Sequence, residues 1–511
     1  MDNYSAQRVT ASPVTQPKRN RVAAAPRLNR GSMVPTPWRG FFRSVGALFM
    51  QTLTRFAQGP AQRTKALEPW EAAARSRRRI LTLAVFISAA LATTEMSGVS
   101  LPEDESATLR VIQVILFGLL FAWVSAGFFT ALMGYWVTRR GDRFAMSAKR
   151  AGTGPIDTAA RTAIVMPICN EHVSTVFAGL RATWESLTRT GQGHLFDVFV
   201  LSDSANPETR AEEMAAWQQL QDQLGADCRV YYRWRQRRTK RKAGNVADFC
   251  RRWGRDYRYM VVLDADSVMS GESLVTLVRL MEQNPKAGIL QTAPQTCGIT
   301  TVHARSQQFA SRVAGRLFTA GMQFWQLGES HYWGHNAIIR VAPFMKHCAL
   351  APIAGHGGLA GEILSHDFVE AALMRRAGYQ VWVVQDLVGS YEQQPPNLLE
   401  ELKRDRRWCQ GNLQNARLMA EPGLHSVHRA MFLTGTMSYL SAPMWLAFIM
   451  VSTGMWLWNG QLTDPSALDL MTTTHEPFFT ALVHHITPLW VATALMLVLP
   501  RFLGVTVILQ R

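Results

Sequence analysis

The stretch "VVLDAD" at 261–266 runs a hydrophobic, β-forming segment into two aspartates one residue apart, Asp264 and Asp266. Side chains at i and i+2 of an extended strand share a face, so both carboxylates can reach one hard cation, which takes oxygen ligands. A divalent ion held there could sit on a diphosphate and neutralise the charge on a departing nucleotide. The alternative is a strand-end turn with two solvated acids. Downstream, "SHDF" puts Asp367 at the start of a helical stretch, where it can be a reactive carboxylate or a plain cap for orphan N–H groups. The run "ELKRDRRWCQGN" supplies Lys403, Arg404, Arg406, Arg407 and Trp408, a basic cluster ending in an aromatic ring. Such a cluster could grip phosphates and stack on a sugar, or form a basic belt facing a membrane.

Residues 160–425 are the one large polar stretch and suit one substantial domain. "RTAIVMPICNE", "FDVFVLSDS", "CRVYYRWR" and "YRYMVVLDADSV" read as strands, with helical stretches at about 173–190 and 207–224 between them. Apolar runs of strand length separated by helices imply an α/β domain with a parallel sheet, whose ligands bind beyond the carboxyl ends of the strands. Those ends carry Asn170 and Glu171, then Asp203, then Asp264 and Asp266, so acids gather along one edge. No Gly-rich phosphate loop opens a helix, so a nucleotide must be held by other means. "DADSV" also fits D-x-D-x-[TV], the pattern of phosphotransferases whose first Asp is the nucleophile. That motif normally closes the first strand of its domain, whereas three strands precede it here and Asp203 would have no role.

Four segments are nearly all apolar, at about 80–99, 111–137, 430–458 and 478–509. About 20 apolar residues cross a bilayer core as a helix, so all four are candidate spans. The first, with Glu95 near its far end, could instead be a buried core helix. Residues 1–79 hold 15 Lys/Arg against 3 acids in a chain of 511 residues and net charge +17. With "RSRRR" abutting the first span, the positive-inside rule explains this basic arm without nucleic acid, and places it in the cytoplasm. The acidic "SLPEDES" loop then falls outside and the basic "VTRRGDRFAMSAKR" inside. Within the arm, 38–56 alternates basic and bulky apolar residues, as an amphipathic helix on the membrane surface or as a packed arm. The first 35 residues, with Pro13, Pro17, Pro26 and Pro35, read as disordered. No cleaved signal peptide is expected. The six cysteines lack metal-ligand spacing and fit free thiols in a reducing compartment.

The order of Asp203 in "LSDS", "DAD" at 264–266, Asp367 in "SHD" and "RDRRW" at 404–408 resembles the D, D-x-D, T-E-D and Q-x-x-R-W series of membrane-embedded family-2 glycosyltransferases, which include cellulose, chitin and hyaluronan synthases. "PICNE", "KAGN" at 242–245, "YWGHN" at 332–336 and "GEILSHD" at 361–367 look like that family too. "LSDSANPE", "RRTKRKAGNVADF", "GHNAIIR" and "KRDRRWCQGNLQN" are most similar to its branch that builds osmoregulated periplasmic glucans in Gram-negative bacteria. The resemblance implies a cytoplasmic GT-A domain, a Rossmann-like nucleotide-sugar fold, inserted between transmembrane helices of a multi-pass inner-membrane protein. It implies UDP-glucose as donor, Mg²⁺ as cofactor with Mn²⁺ as the substitute ion, and a growing β-1,2-linked glucan as acceptor. Inner-membrane lipids and a periplasmic glucan-processing protein are the further partners it suggests.

On the same resemblance, Glu171 and Asp203 would contact the uridine with Lys242 nearby, and Asp264 and Asp266 would serve the diphosphate and metal. Asp367 would be the general base in an inverting single displacement. Arg404 and Arg407 would hold the departing diphosphate, and Trp408 and His335 would meet the acceptor. The sequence departs from the wider family at Cys169, where many relatives carry an aromatic residue, at Ser365 and His366, and at Arg404 in place of Gln. The chain stops at "VTVILQR", where such proteins continue with further membrane helices, so channel helices are expected to be missing and translocation with them. Two other readings remain: a non-processive transferase acting on a lipid carrier, and a truncated membrane protein without activity.

Overall fold

Residues 26–57, 67–98, 107–225, 228–298, 300–458 and 476–509 are described in the computed structural model of the chain. Helix α1 (Phe41–Ala57) is followed by two long apolar helices, α2 (Pro69–Gly98) and α3 (Ala107–Arg140). The domain begins with β1 (Thr162–Ile168), α4 (Val173–Arg189), β2 (Phe196–Ser202), α5 (Pro207–Leu224), β3 (Val230–Trp234), α6 (Arg241–Trp253) and β4 (Tyr259–Val262). It continues through β5 (Val268–Met269), α7 (Gly271–Gln283), β6 (Ala287–Thr292) and β7 (Gln295–Cys297). Helices α8 (Val302–Ala310) and α9 (Arg316–Gln326) then lead to β8 (Ala337–Arg340), α10 (Val341–His347), α11 (His366–Arg376), β9 (Gln380–Val384) and β10 (Ser390–Gln393). The chain closes with α12 (Leu398–Ala416), α13 (Ser426–Trp458) and α14 (Glu476–Leu509).

Seven strands form one sheet in the order β3-β2-β1-β4-β8-β6-β9. Strands such as "FDVFVLS" are buried throughout because helices cover both faces, which is why they show no alternation. Their one charge, Asp197, is met by Arg161 at 2.5 Å and the Tyr257 hydroxyl at 2.7 Å. The expectation of a parallel sheet needs correction at β8, which runs antiparallel to both β4 and β6. Its first residue, Ala337, opposes Val262 at the end of β4, so the chain enters β8 where its neighbours finish and the preceding segment lies at the carboxyl edge. A second sheet, β5-β10-β7, was not expected from the sequence.

The arm also differs from expectation. Residues 26–35, expected to be disordered, lie against the domain: Asn29 N and Gly31 N bond to the carbonyls of Arg252 and Arg251, and Met33 is buried. Trp38 Nε1 donates to the Ala351 carbonyl at 2.8 Å, and Glu421 accepts from Arg39 N and Ser44 Oγ. In α1 Phe42, Phe49 and Met50 remain exposed. Residues 1–25 and the acidic loop "SLPEDES" lie outside the described residues.

Among the described residues four helices are long and apolar enough to cross a membrane: Pro69–Gly98, Ala107–Arg140, Ser426–Met455 and Thr487–Leu509. The basic run "RSRRR" is part of α2 itself, so arm and first span form one continuous helix rather than meeting at residue 79. Helix α3 crosses α9 at backbone contact. A Cβ on Gly134 would lie 1.9 Å from the Leu317 carbonyl oxygen, and one on Gly321 1.9 Å from that of Thr130. Nearby, Arg77 of α2 forks onto Asp142 at 2.6 and 2.9 Å while its guanidinium lies 3.8 Å above the Phe324 ring.

Glu329 ties these helices to the sheet. Its carboxylate meets Arg78 of α2 at 2.8 Å, Arg375 of α11 at 3.1 Å and His425, just ahead of α13, at 2.7 Å. Burial would raise its pKa, but the His425 hydrogen bond and the charges of Arg78 and Arg375 outweigh this and hold it at about 2. A carboxylate whose folded pKa lies below its unfolded value stabilises the fold above that unfolded value. The contribution is therefore lost as pH falls from the ordinary 4.5 toward about 2. Glu329→Gln takes the carboxylate from Arg78 and leaves Arg375 with Glu71 alone, and is expected to cost about 3–5 kcal/mol. Thermal unfolding in detergent should show a lowered Tm at pH 7 and a flatter acid limb than the parent between pH 4.5 and 2.

Candidate active site

The site forms where β1, β2 and β4 end and β8 begins. "KAGN" shows how the sequence builds it. Gly244 allows α6 to start tightly, since a Cβ there would lie 2.0 Å from the Thr239 carbonyl oxygen. Asn245 is buried and donates to the Leu201 carbonyl at 2.8 Å while accepting from Arg233 at 2.8 Å, which pins α6 to the end of β2. Lys242, one turn away, then forms an ion pair with Asp264. Two asparagines, one after β1 and one before β8, adopt left-handed backbone, Asn170 at φ 57° and Asn336 at φ 49°. Asn170 Oδ1 accepts from Ala205 N, and Asn336 Nδ2 donates to Ser390 Oγ and the Tyr391 carbonyl, so each fixes its strand end to a facing loop. Strain of this kind persists where the surroundings over-determine it.

Asp264 and Asp266 share a recess that is open to solvent on one side. Burial opposes ionisation of Asp264, yet Lys242 and His335 hold its pKa below the usual value. Asp266 is pushed up to about 6 by burial and then by Asp264, with His335 a partial offset. Lys242 offsets only one of the two charges, so the pair still fits a divalent ion. Among the described residues no cluster of three or more His, Cys, Asp or Glu could hold a metal, so the protein would supply two carboxylates and leave the remaining positions to phosphate oxygens and water.

Asp367 stands in the first turn of α11, and its carboxylate lies against Gly334 of "YWGHN", where a Cβ would be 3.5 Å from Oδ2. That glycine has φ +87°, a conformation other residues resist. Burial raises the Asp367 pKa, while His366 and Lys242 work against the rise. His366 in turn lies 3.2 Å from the buried Glu370. The loop before α11 is clamped by α12: Gln414 bonds to Leu364 N and to the carbonyls of Ala360 and Glu362, and Asn415 bonds to the Ser365 carbonyl. A Cβ on Gly411 would lie 2.2 Å from Ser365 Oγ, so α12 and this loop touch directly. The second half of "RRWCQGNLQN" therefore positions the first turn of α11.

Each of the remaining candidate residues has defined surroundings in the fold. Asp203 is buried and occupied on both oxygens by Arg235, at 2.5 and 2.7 Å. Lys242, expected near the uridine, is ion-paired with Asp264. Glu171 is exposed at the rim, where burial, Asp266 and Asp264 raise its pKa and Arg407 lowers it, so it belongs to the acidic recess. His335 lies 3.5 Å from Asp264 and 2.7 Å from Glu392, supporting the Asp264 side instead of standing free for an acceptor. Arg404 reaches Gln394 at 3.4 Å and covers one face of the half-exposed Trp408 at 4.6 Å, leaving only the other face open.

Arg235, Glu392 and Trp234 were not foreseen. Arg235 sits within the basic run "RWRQRR", and nothing in residue type distinguishes the one that pairs. Glu392 comes from β10 in the unexpected sheet. Trp234 is half-exposed at the end of β3, its indole bonded to the Ser204 carbonyl beside Asp203 and Arg210 over one face. It puts an aromatic ring close to the edge where Cys169 supplies none. A cleft of about 820 Å³ opens at Asn170, Glu171 and Ser174 and runs between α4 and α5, so it shares only its Glu171 end with the acidic recess.

Residues 163–348 match the model described as glycosyl transferase family 2, and residues 259–505 the one described as glycosyl transferase family group 2. With the α/β sheet and acids at its strand ends, the chain belongs to the family-2 glycosyltransferases. Within that family it is similar to proteins named glucans biosynthesis glucosyltransferase H. It is 52% identical over 505 residues to that of Cupriavidus pinatubonensis, covering 96% of this chain and 58% of the relative. The Escherichia coli K12 protein is 51% identical over 480 residues, covering 88% and 56%. The chain thus spans a little over half the length of the curated relatives it matches. A solved mannosyltransferase from Pyrobaculum calidifontis, in complex with GDP-Man and Mn²⁺, aligns over 78% of this chain and 98% of its own at 14% identity and a TM-score of 0.44.

Because Arg235 forks onto both oxygens of Asp203, Arg235→Ala leaves a buried carboxylate without that ion pair. Loss of about 3–5 kcal/mol is expected, measured by denaturant unfolding, with Asp203→Asn on top recovering part of it.

Proposed function

We propose that this chain is the catalytic portion of an inverting glucosyltransferase that extends a β-1,2-glucan from UDP-glucose on the cytoplasmic side of the bacterial inner membrane. The relatives' names and the motif series support glucan synthesis. The observation that carries the chemistry is the placement of Asp367. It stands against Gly334 and within the influence of Lys242, the same lysine that pairs with Asp264. A base therefore sits beside a diphosphate-binding recess, with one cation serving both.

In this reading Asp367 accepts the proton of an acceptor hydroxyl as its oxygen attacks the anomeric carbon of glucose. The bond to the UDP oxygen breaks in the same displacement and the centre inverts, so no nucleophilic carboxylate is needed. Asp264 and Asp266 would hold Mg²⁺ or Mn²⁺, which supplies charge neutralisation of the leaving diphosphate. Lys242 holds Asp264 ionised, His335 and Glu392 steady it, and Arg407 stands at the rim beside Glu171 to meet phosphate. The open face of Trp408 suits a sugar ring of the growing chain, with inner-membrane lipid around the four spans and a periplasmic glucan-processing protein as onward partner.

UDP release from membranes carrying the 511-residue chain tests this directly, with UDP-glucose and other UDP-sugars offered with and without Mg²⁺ or Mn²⁺. Release is expected from UDP-glucose alone and only with metal. Asp367→Asn should lower turnover by about 10²–10⁴ while UDP-glucose binding survives. Undiminished turnover in that variant would remove Asp367 from the mechanism, and absence of UDP-glucose binding in the parent would overturn the donor.

A further inference from the structure

A second cavity, of about 290 Å³, lies under the N-terminal arm, away from the acidic recess. Its walls come from the arm segment 34–39, the end of α10, the last turns of α11 and Glu421–Pro422 ahead of α13. Trp38, fixed through its indole N–H to the Ala351 carbonyl, and Leu373 give it an apolar side. Arg39, Lys346, His347 and Arg376 give it a cationic one.

Only one carboxylate, Glu421, faces that cationic side. Among the described residues the side chains of Arg39, Lys346 and Arg376 make no hydrogen bond or ion pair. The one acid in the wall, Glu421, is buried and already accepts from Arg39 N at 2.9 Å and Ser44 Oγ at 3.1 Å. The crowding is felt by His347, whose pKa is lowered by burial and then by Lys346 and Arg376. Like charges gathered around a partly apolar hollow raise the local positive potential and draw an anion. Guanidinium forks from two sides and a lysine point charge match phosphate oxygens, and an indole face beside them suits an apolar or planar remainder. The volume is near the lower end for small-molecule sites.

We propose that this cavity binds a phosphate-bearing ligand, either a soluble phosphate compound or a lipid headgroup, that fastens the arm onto α11. Its position makes the consequence specific. Arg376 ends the helix whose first turn carries Asp367, and Glu421 lies just before α13, so one ligand would join the arm, the helix of the candidate base and the entry to a membrane span.

Hydrogen exchange on the whole chain in nanodiscs tests this, with local readout at residues 38–40 and 346–351. The probes are inorganic pyrophosphate added to phosphatidylcholine discs, and discs containing phosphatidylglycerol without it. One probe is expected to slow exchange in both windows by about tenfold or more. Slowing with pyrophosphate assigns a soluble ligand, and slowing only in phosphatidylglycerol discs assigns a headgroup. The paired change Lys346→Gln and Arg376→Gln should abolish the effect, with exchange in β1 and β2 unchanged as proof of folding. Arg39→Gln, on the exposed arm, should weaken it without touching the domain core. No slowing with either probe, or slowing that persists in the paired variant, overturns the proposal. Binding of pyrophosphate at the acidic recess would be read at other residues and does not confuse the two sites.

Discussion

Four carboxylates crowd the carboxyl edge of the sheet, and carboxylates near one another resist being ionised together. Asp264, Asp266, Asp367 and Glu171 share that edge, and Asp266 shows the strain with a pKa of about 6. The charge of Lys242 reaches both Asp264 and Asp367, and that of His366 works in the same direction on each. The placement of Lys242 depends on the tight start of α6 at Gly244 and on the buried Asn245 that ties this helix to β2. The left-handed asparagines at the ends of β1 and before β8 are part of the same requirement. They fix the ends of these strands to facing loops.

The second organising contact lies at the other side of the domain. Glu329 gathers Arg78, Arg375 and His425 from three different elements, two of them leading into spans. The segment that begins at Glu329 passes Gly334 against Asp367 and ends with His335 at Asp264. A stretch of chain shorter than a typical helix therefore joins the membrane-side ion cluster to both halves of the candidate active site.

Much of this was legible before any coordinates. The strand-end acids, the α/β alternation and the apolar segments follow from residue type and period alone, because burial dictates both. The reversal of β8 was not legible, since "AIIR" reads the same in either direction and only the approach from 327–336 decides it. Nor could sequence tell which arginine of "RWRQRR" would close over Asp203, because their residue types are alike and only the fold selects Arg235. The arm was misread for a related reason. Its prolines and charges argue against a core of its own, yet Met33 and Trp38 need only a groove on another element to become ordered. His335 was assigned by motif to the acceptor, but its partner Glu392 arrives from a small sheet that has almost no sequence signature.

The crossing of α3 and α9 carries a mechanical meaning. Where Gly134 meets Leu317 and Gly321 meets Thr130, the two backbones touch with no side chain between them. Side chains can swing to absorb small shifts, whereas peptide groups in contact cannot, because interiors packed this closely transmit displacement. A tilt of α3, such as a thinner or thicker bilayer imposes, is therefore handed to α9 undiminished, and the domain rides on the span as a rigid extension of it.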